Sequence, residues 1–286
     1  MYTTLISTSH LKDLQSSAQS CMVFDCSFEL AQPLIGEQQY QQFRIAGAVR
    51  ADLDRHLSAV KGATDAASGG RHPLPSRETF AAWLGSIGFG NQMQAVVYDR
   101  QGANYCGRLW WMLKWVGHEN AAVLDGGLQA WLASDGGVES GVAVPGAPVK
   151  FSLTEAKAAL RTVTQVASEL GRSGQSLIDA RGAPRFRGEV EPLDPVAGHI
   201  PGALNRPFGQ NFDSDGRFKP AHQLRAEFDA LLGQRDPASV VHHCGSGVSA
   251  VPNIIAMEVA GLGRSALYAG SWSEWCSDMS RPVAQA

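Results

Sequence analysis

No apolar run in the 286-residue sequence approaches the length of about 18 residues that a bilayer-spanning helix requires, so no membrane span is expected. An excess of one charge is missing too. Twenty-four basic and 27 acidic side chains leave a formal net charge of -3, without the basic surplus of a general nucleic-acid binder. Cysteines are few, odd in number and scattered, at positions 21, 26, 106, 244 and 276. That spacing excludes a paired disulfide framework and a CxxC…CxxC zinc pattern, and it suits a reducing, cytoplasmic setting. The start, Met1-Tyr2-Thr3-Thr4-Leu5-Ile6, lacks the basic flank and apolar stretch of a secretory signal. What is present is an ordinary folded composition, 44% hydrophobic and 18% charged, with 31 glycines that imply many tight turns.

The chain also repeats itself. Val23-Phe24-Asp25 resembles Leu177-Ile178-Asp179, and Ile45-Ala46-Gly47-Ala48 resembles Ile200-Pro201-Gly202-Ala203. Val96-Val97-Tyr98-Asp99 then matches Val241-His242-His243-Cys244, and Gly127-Leu128-Gln129-Ala130-Trp131 matches Ser271-Trp272-Ser273-Glu274-Trp275. The first two pairs lie about 155 residues apart and the last two about 145, an ordered series with one length change, which is the signature of a duplication. The boundaries read as an N-terminal domain over 1–139, a Gly/Pro-rich linker over 140–152 and a C-terminal domain over 153–286. In each copy, apolar runs such as 95–98 and 239–242 read as buried parallel strands. Helices over 107–116 and 251–259, ending near Gly117 and Gly261, follow them. The fold class is therefore α/β, two similar domains, each a mostly parallel sheet covered by helices on both faces.

One stretch carries chemistry. After the strand comes Cys244-Gly245-Ser246-Gly247-Val248-Ser249-Ala250, and then a helix with Pro252 near its first turn. Small residues let successive backbone N–H groups turn towards whatever sits on Cys244. A thiolate there is favoured by those dipoles and by the helix N-terminus. Cysteine phosphatases share a His-Cys start, but they need an arginine six residues on, where this chain has Ala250. His242 and His243 are adjacent on a strand and so point to opposite faces, and no second ligand cluster is evident; no metal site is expected. Trp110, Trp111 and Trp115 read as core at helical spacing, and the other four cysteines as packing residues.

The tandem domains, Gly198-His199-Ile200-Pro201-Gly202-Ala203, Leu124-Asp125-Gly126-Gly127-Leu128 and the cysteine loop together resemble the rhodanese and 3-mercaptopyruvate sulfurtransferase family. The resemblance implies a catalytic C-terminal domain and an inactive N-terminal copy, with Asp99 standing where the nucleophile would be. The loop, with no basic residue after the cysteine, resembles the mercaptopyruvate type by one conservative exchange. In that type the loop serine is joined by a histidine and an aspartate, here matched by Ser246, His72 and Asp52, with Asp54 as the alternative to Asp52. Arg185 matches the family's first carboxylate-binding arginine, while the second is expected after Glu191-Pro192, where this chain has Leu193. Arg181 and Arg187 are the candidates to replace it, and Asp179 to orient the loop or the arginines.

The resemblance implies a sulfurtransferase without cofactor. In such an enzyme Cys244 is expected to take a sulfur from a small anionic donor, 3-mercaptopyruvate foremost, with Gly245, Gly247, Val248 and Ser249 cradling the anion. The resulting persulfide passes the sulfur to cyanide or to a thiol such as thioredoxin or a low-molecular-weight thiol. The alternatives are thiosulfate:cyanide sulfur transfer on the same scaffold and a persulfide carrier or regulatory module with little turnover.

Overall fold

A computed structural model describes residues 1–143 and 146–285. They form two compact units. The first comprises residues 1–58, 75–157 and 214–218, the second residues 59–74, 158–213 and 219–286. This differs from the boundaries read in the sequence. Residues 146–152 of the expected linker are part of the first unit: the Val149 amide donates to the Gly85 carbonyl (2.9 Å), and Asn91 Nδ2 to that of Ser152 (2.8 Å). The buried Phe151 ring stacks on Phe89. One large aromatic suffices to dock a Gly/Pro-rich segment. Val144 and Pro145, also in that segment, lie outside the described residues.

The first unit contains strands β1 (Leu5–Ile6), β2 (Cys21–Asp25), β3 (Arg44–Ile45), β4 (Val49–Arg50), β5 (Gln94–Tyr98), β6 (Ala121–Leu124) and β7 (Val138–Glu139). Its helices are α1 (Thr8–Gln15), α2 (Leu34–Gln42), α3 (Arg77–Ser86), α4 (Cys106–Trp115) and α5 (Gly127–Ala133). The main sheet has the order β1-β6-β5-β2-β4 and is parallel throughout; β3 and β7 pair antiparallel beside it. Every residue of β5 is buried, as expected of a central strand with both faces covered. Every residue of α4 is buried as well, which is why its sequence shows no polar face. Trp111 and Trp115 stack there, and Trp110 donates to the Thr3 carbonyl, so the tryptophan group is core.

The second unit contains α6 (Val163–Ser168), β8 (Ser176–Asp179), α7 (Ala183–Arg187), β9 (Leu204–Asn205), α8 (Ala221–Leu232), β10 (Val240–His243), α9 (Val251–Val259), β11 (Ala266–Leu267) and α10 (Ser271–Trp275). Its sheet, β11-β10-β8-β9, is parallel. Helix α9 has the bounds expected from the sequence, with Pro252 in its first turn, and Gly261 (φ +71°) beyond its end.

The repeat extends to single hydrogen bonds. Cys26 N–H donates to the Tyr98 carbonyl in the first unit, and Ala180 N–H to that of His243 in the second. Leu128 N–H donates to the Asp99 carbonyl, and Trp272 N–H to that of Cys244. Two sheets built on one plan therefore present the positions of residues 99 and 244 at the same place, the carboxyl end of a central strand.

Candidate active site

Strand β10 ends inside the core, and Cys244 follows it with only 3% of its surface exposed. Two backbone contacts hold it. Its N–H donates to Ser271 Oγ (3.1 Å), and its carbonyl accepts from Trp272 N–H (3.0 Å). Ser271 adopts φ +56°, a left-handed conformation that costs a non-glycine residue about 1 kcal/mol or more. The matching residue of the first unit is Gly127, at φ +57°. The second copy thus places a strained serine where the first has glycine, and the added hydroxyl receives the Cys244 amide.

The loop then turns at Gly247 (φ +73°). A Cβ on Gly247 would lie 2.2 Å from the Ala269 carbonyl oxygen, so both space and conformation require glycine. Among the described residues, the N–H groups of Gly245, Ser246, Val248 and Ser249 donate to no acceptor within the protein. Such a run of unpaired amides beside a helix N-terminus is an anion cradle.

The loop of the first unit holds an anion of its own. There the Asp99 carboxylate, at the position of Cys244, accepts from the amides of Gln101 (2.8 Å), Tyr105 (2.8 Å) and Cys106 (2.9 Å). Burial raises the Asp99 pKa, and the three amides oppose that shift. The loop of the first copy has closed on a carboxylate of its own.

His72 belongs to the second unit by packing, although it lies in the first half of the sequence. Its Nδ1 is 2.9 Å from Ser246 Oγ, and both side chains are buried. Asp52 belongs to the first unit. Its carboxylate pairs with Arg50 (3.0 Å) and accepts the amides of Asp54 (3.0 Å) and Arg55 (3.1 Å), the bonding of a turn acid.

The arginines separate clearly. Arg181 is engaged on all three nitrogens: its guanidinium contacts both oxygens of Asp179, the Gly198 carbonyl and Glu191, and it lies over the Trp272 ring. Burial works against its charge, but Asp179, then Glu191 and Cys244, raise its pKa. Arg187 is exposed and paired with Glu189. Arg181 is committed to Asp179, Glu191 and the Gly198 carbonyl, and Arg187 to Glu189, so neither is left to replace the arginine absent at 193, contrary to the expectation from the sequence. Arg185 does face the loop, with Nη1 3.6 Å from where a Gly245 Cβ would stand, and it also holds Glu191 (2.6 Å) and Asp194 (3.3 Å). Leu193 is 45% exposed. A residue that sequence reasoning missed stands closer: Arg71 Nη2 would lie 3.1 Å from the same Cβ. Its signal was its place next to His72.

Asp179 is fully buried. Burial raises its pKa, while His243 and Arg181 lower it, and the net shift is downward. His243, with Nδ1 4.0 Å from Asp179, is itself held below the usual imidazole range by burial, so at neutral pH Arg181 is the cation that keeps Asp179 ionised. The two histidines of β10 point to opposite faces, as expected: His242 meets the Met257 sulfur, and His243 meets Asp179 and Tyr268.

Burial first, then His243 and Arg206, push the His242 pKa down to about 3 from 6.5. A stability effect of definite sign follows. The unfolded chain binds protons at these histidines near pH 6.5 and the folded chain does not, so their contribution is complete above that pH. It is lost as pH falls towards about 3, by up to about 1.4 kcal/mol per unit for His242. Denaturant midpoints measured from about pH 7 down to about pH 4.5 should fall more steeply for the wild type than for His242→Leu. Parallel curves would count against this account.

A model of the rhodanese-like domain matches residues 7–134 and again residues 162–278. A probable 3-mercaptopyruvate sulfurtransferase of Pseudomonas aeruginosa is 44% identical over 271 residues, 94% of this chain and 93% of the relative. A putative thiosulfate sulfurtransferase of Mycobacterium tuberculosis is 38% identical over 282 residues, 98% of this chain and 96% of that protein. Among solved structures, SseA of Escherichia coli, described as a 3-mercaptopyruvate sulfotransferase, superposes with a TM-score of 0.79 at 30% identity, covering 96% of this chain and 100% of the other. Two domain matches in sequence, on two sheets with one plan, make the conclusion plain: the chain belongs to the rhodanese family of sulfurtransferases, as a member with two domains in tandem.

Proposed function

We propose that the chain moves sulfur from 3-mercaptopyruvate to a thiol or cyanide through a persulfide on Cys244. The observation that carries the donor choice is Ser246 Oγ within 2.9 Å of His72 Nδ1, in a cysteine loop that has no cation of its own. The Cys244 thiolate attacks the donor's thiol sulfur. The carbon–sulfur bond breaks, its electron pair passes to the enolate of pyruvate, and that carbon takes up a proton. The unpaired amides of Gly245, Ser246, Val248 and Ser249 support the anionic sulfur through both half-reactions. Ser246 and His72 manage the proton. The family resemblance adds Asp52 as a third member, and the proposal rests on Ser246 and His72 without it.

In the second half-reaction an acceptor thiolate attacks the outer sulfur and releases Cys244. A low-molecular-weight thiol or a thioredoxin-like protein fits this role, with cyanide as the laboratory acceptor. All five cysteines are free, which fits a reducing cytoplasmic setting, and no helix among the described residues is long and apolar enough to cross a membrane.

Thiosulfate, named for the mycobacterial relative, is the competing donor. Glu191 and Asp194 beside Arg185 oppose a dianion more than a monocarboxylate. A paired assay decides between them. The expected result is a kcat/KM for mercaptopyruvate at least about tenfold above that for thiosulfate, with Ser246→Ala slowing the first donor at least about tenfold more than the second. A preference for thiosulfate, or equal effects of Ser246→Ala, would refute the donor assignment.

A further inference from the structure

Two guanidinium groups converge on Gly245, the residue after the nucleophile. Arg185 arrives from α7 and Arg71 from residues 59–74, and both belong to the second unit. Arg71 is held at its base by its own N–H, which donates to Ser273 Oγ (2.9 Å). Its Nη1 donates to Asp194 Oδ1 (2.7 Å) and to the Leu193 carbonyl (3.4 Å). Asp194 Oδ2 accepts from Arg185 Nη2 (3.3 Å), so one buried carboxylate ties the two cations together. Each arginine keeps one amine that donates to nothing within the protein among the described residues: Nη2 of Arg71 and Nη1 of Arg185. Those two amines lie 3.1 and 3.6 Å from the position a Gly245 Cβ would take. The side chains are 25% and 21% exposed, so a solute can reach them.

We propose that Arg71 and Arg185 form the carboxylate fork of the donor site, with Arg71 supplying the cation that Leu193 does not. This deepens the proposed function, since it names the groups that read the donor's carboxylate. Two idle amines from planar guanidinium groups, set by a shared counter-ion, match the two oxygens of a carboxylate. Glycine at 245 leaves room for them beside the cysteine. Two carboxylates, Glu191 and Asp194, already balance the two arginines. The fork therefore accepts one further negative charge more readily than two.

Alkylation of Cys244 in the full chain tests this without any sulfur donor. Iodoacetate carries a carboxylate and iodoacetamide does not, so the ratio of their rates at Cys244 reads the fork, and the neutral reagent reports on the intact loop of each variant. The wild-type ratio should exceed that of a free small thiol. Arg71→Gln should lower it roughly tenfold, the size of one lost charge-assisted hydrogen bond, and Arg71→Lys should fall between. A wild-type ratio no higher than that of the free thiol, or an Arg71→Gln ratio equal to the wild-type value, would overturn the proposal. Failure of the mercaptopyruvate assignment would show in the paired donor assay instead and leave this ratio unchanged.

Discussion

Replacement of Cys244 by serine should lower kcat/KM for every sulfur donor by about four orders of magnitude or more, because the covalent route disappears with its nucleophile. An alcohol at this place stays protonated and forms no persulfide. No neighbour can substitute: burial raises the thiol pKa of Cys21 and Cys276, and raises those of Cys26 and Cys106 well above their ordinary value. The fold should survive, since Cys244 is held through its backbone by Ser271 and Trp272, and serine keeps both bonds. Mass spectrometry after incubation with donor should find one added sulfur atom on Cys244 in the wild type and none in the variant. Turnover retained in Cys244→Ser, or no added sulfur in the wild type, would contradict the mechanism and favour a carrier or regulatory module.

The second large effect is expected from one methyl group. In Gly247→Ala the new Cβ would stand 2.2 Å from the Ala269 carbonyl oxygen and 2.8 Å from two further backbone atoms, at φ +73°. Neither side can yield cheaply, since Ala269 is buried backbone two residues before Ser271, which braces the Cys244 amide. A loss of about 2–3 kcal/mol of stability is expected from clash and left-handed strain together. Activity should fall at least about a hundredfold as the amides leave the cysteine. Gly245→Ala is the control: the atoms nearest its methyl are the far ends of Arg71 and Arg185, so it should cost much less stability. Equal denaturant midpoints for Gly247→Ala and the wild type would show that the loop is not packed as described.

Much of this was legible from residue patterns, and the exceptions share a cause. The bounds of α9, the parallel strands, the repeat and the cysteine loop all follow from local sequence, where period and turn residues act over a few positions. Arg71 was not legible as part of the fork, because its partner Asp194 is 123 residues away in the chain and is brought near only by tertiary packing. The same packing assigns residues 59–74 to the second unit, which no composition shift announces. Arg181 and Arg185 look alike in sequence. Only burial against Asp179 and Trp272 separates the fully engaged cation from the one that faces the loop. The docking of residues 146–152 on the first unit was hidden for a related reason, since the pattern around them gives no hint of where Phe151 packs.

Asp99 gives the duplication a direction. A receptor for anions that incorporates an anion of its own no longer depends on any guest to complete its bonding. On the proposed mechanism, silence and solidity in the first copy are one property, conferred by one side chain. The second copy, on the same mechanism, keeps its own loop open, and its chemistry consists in the guest being temporary.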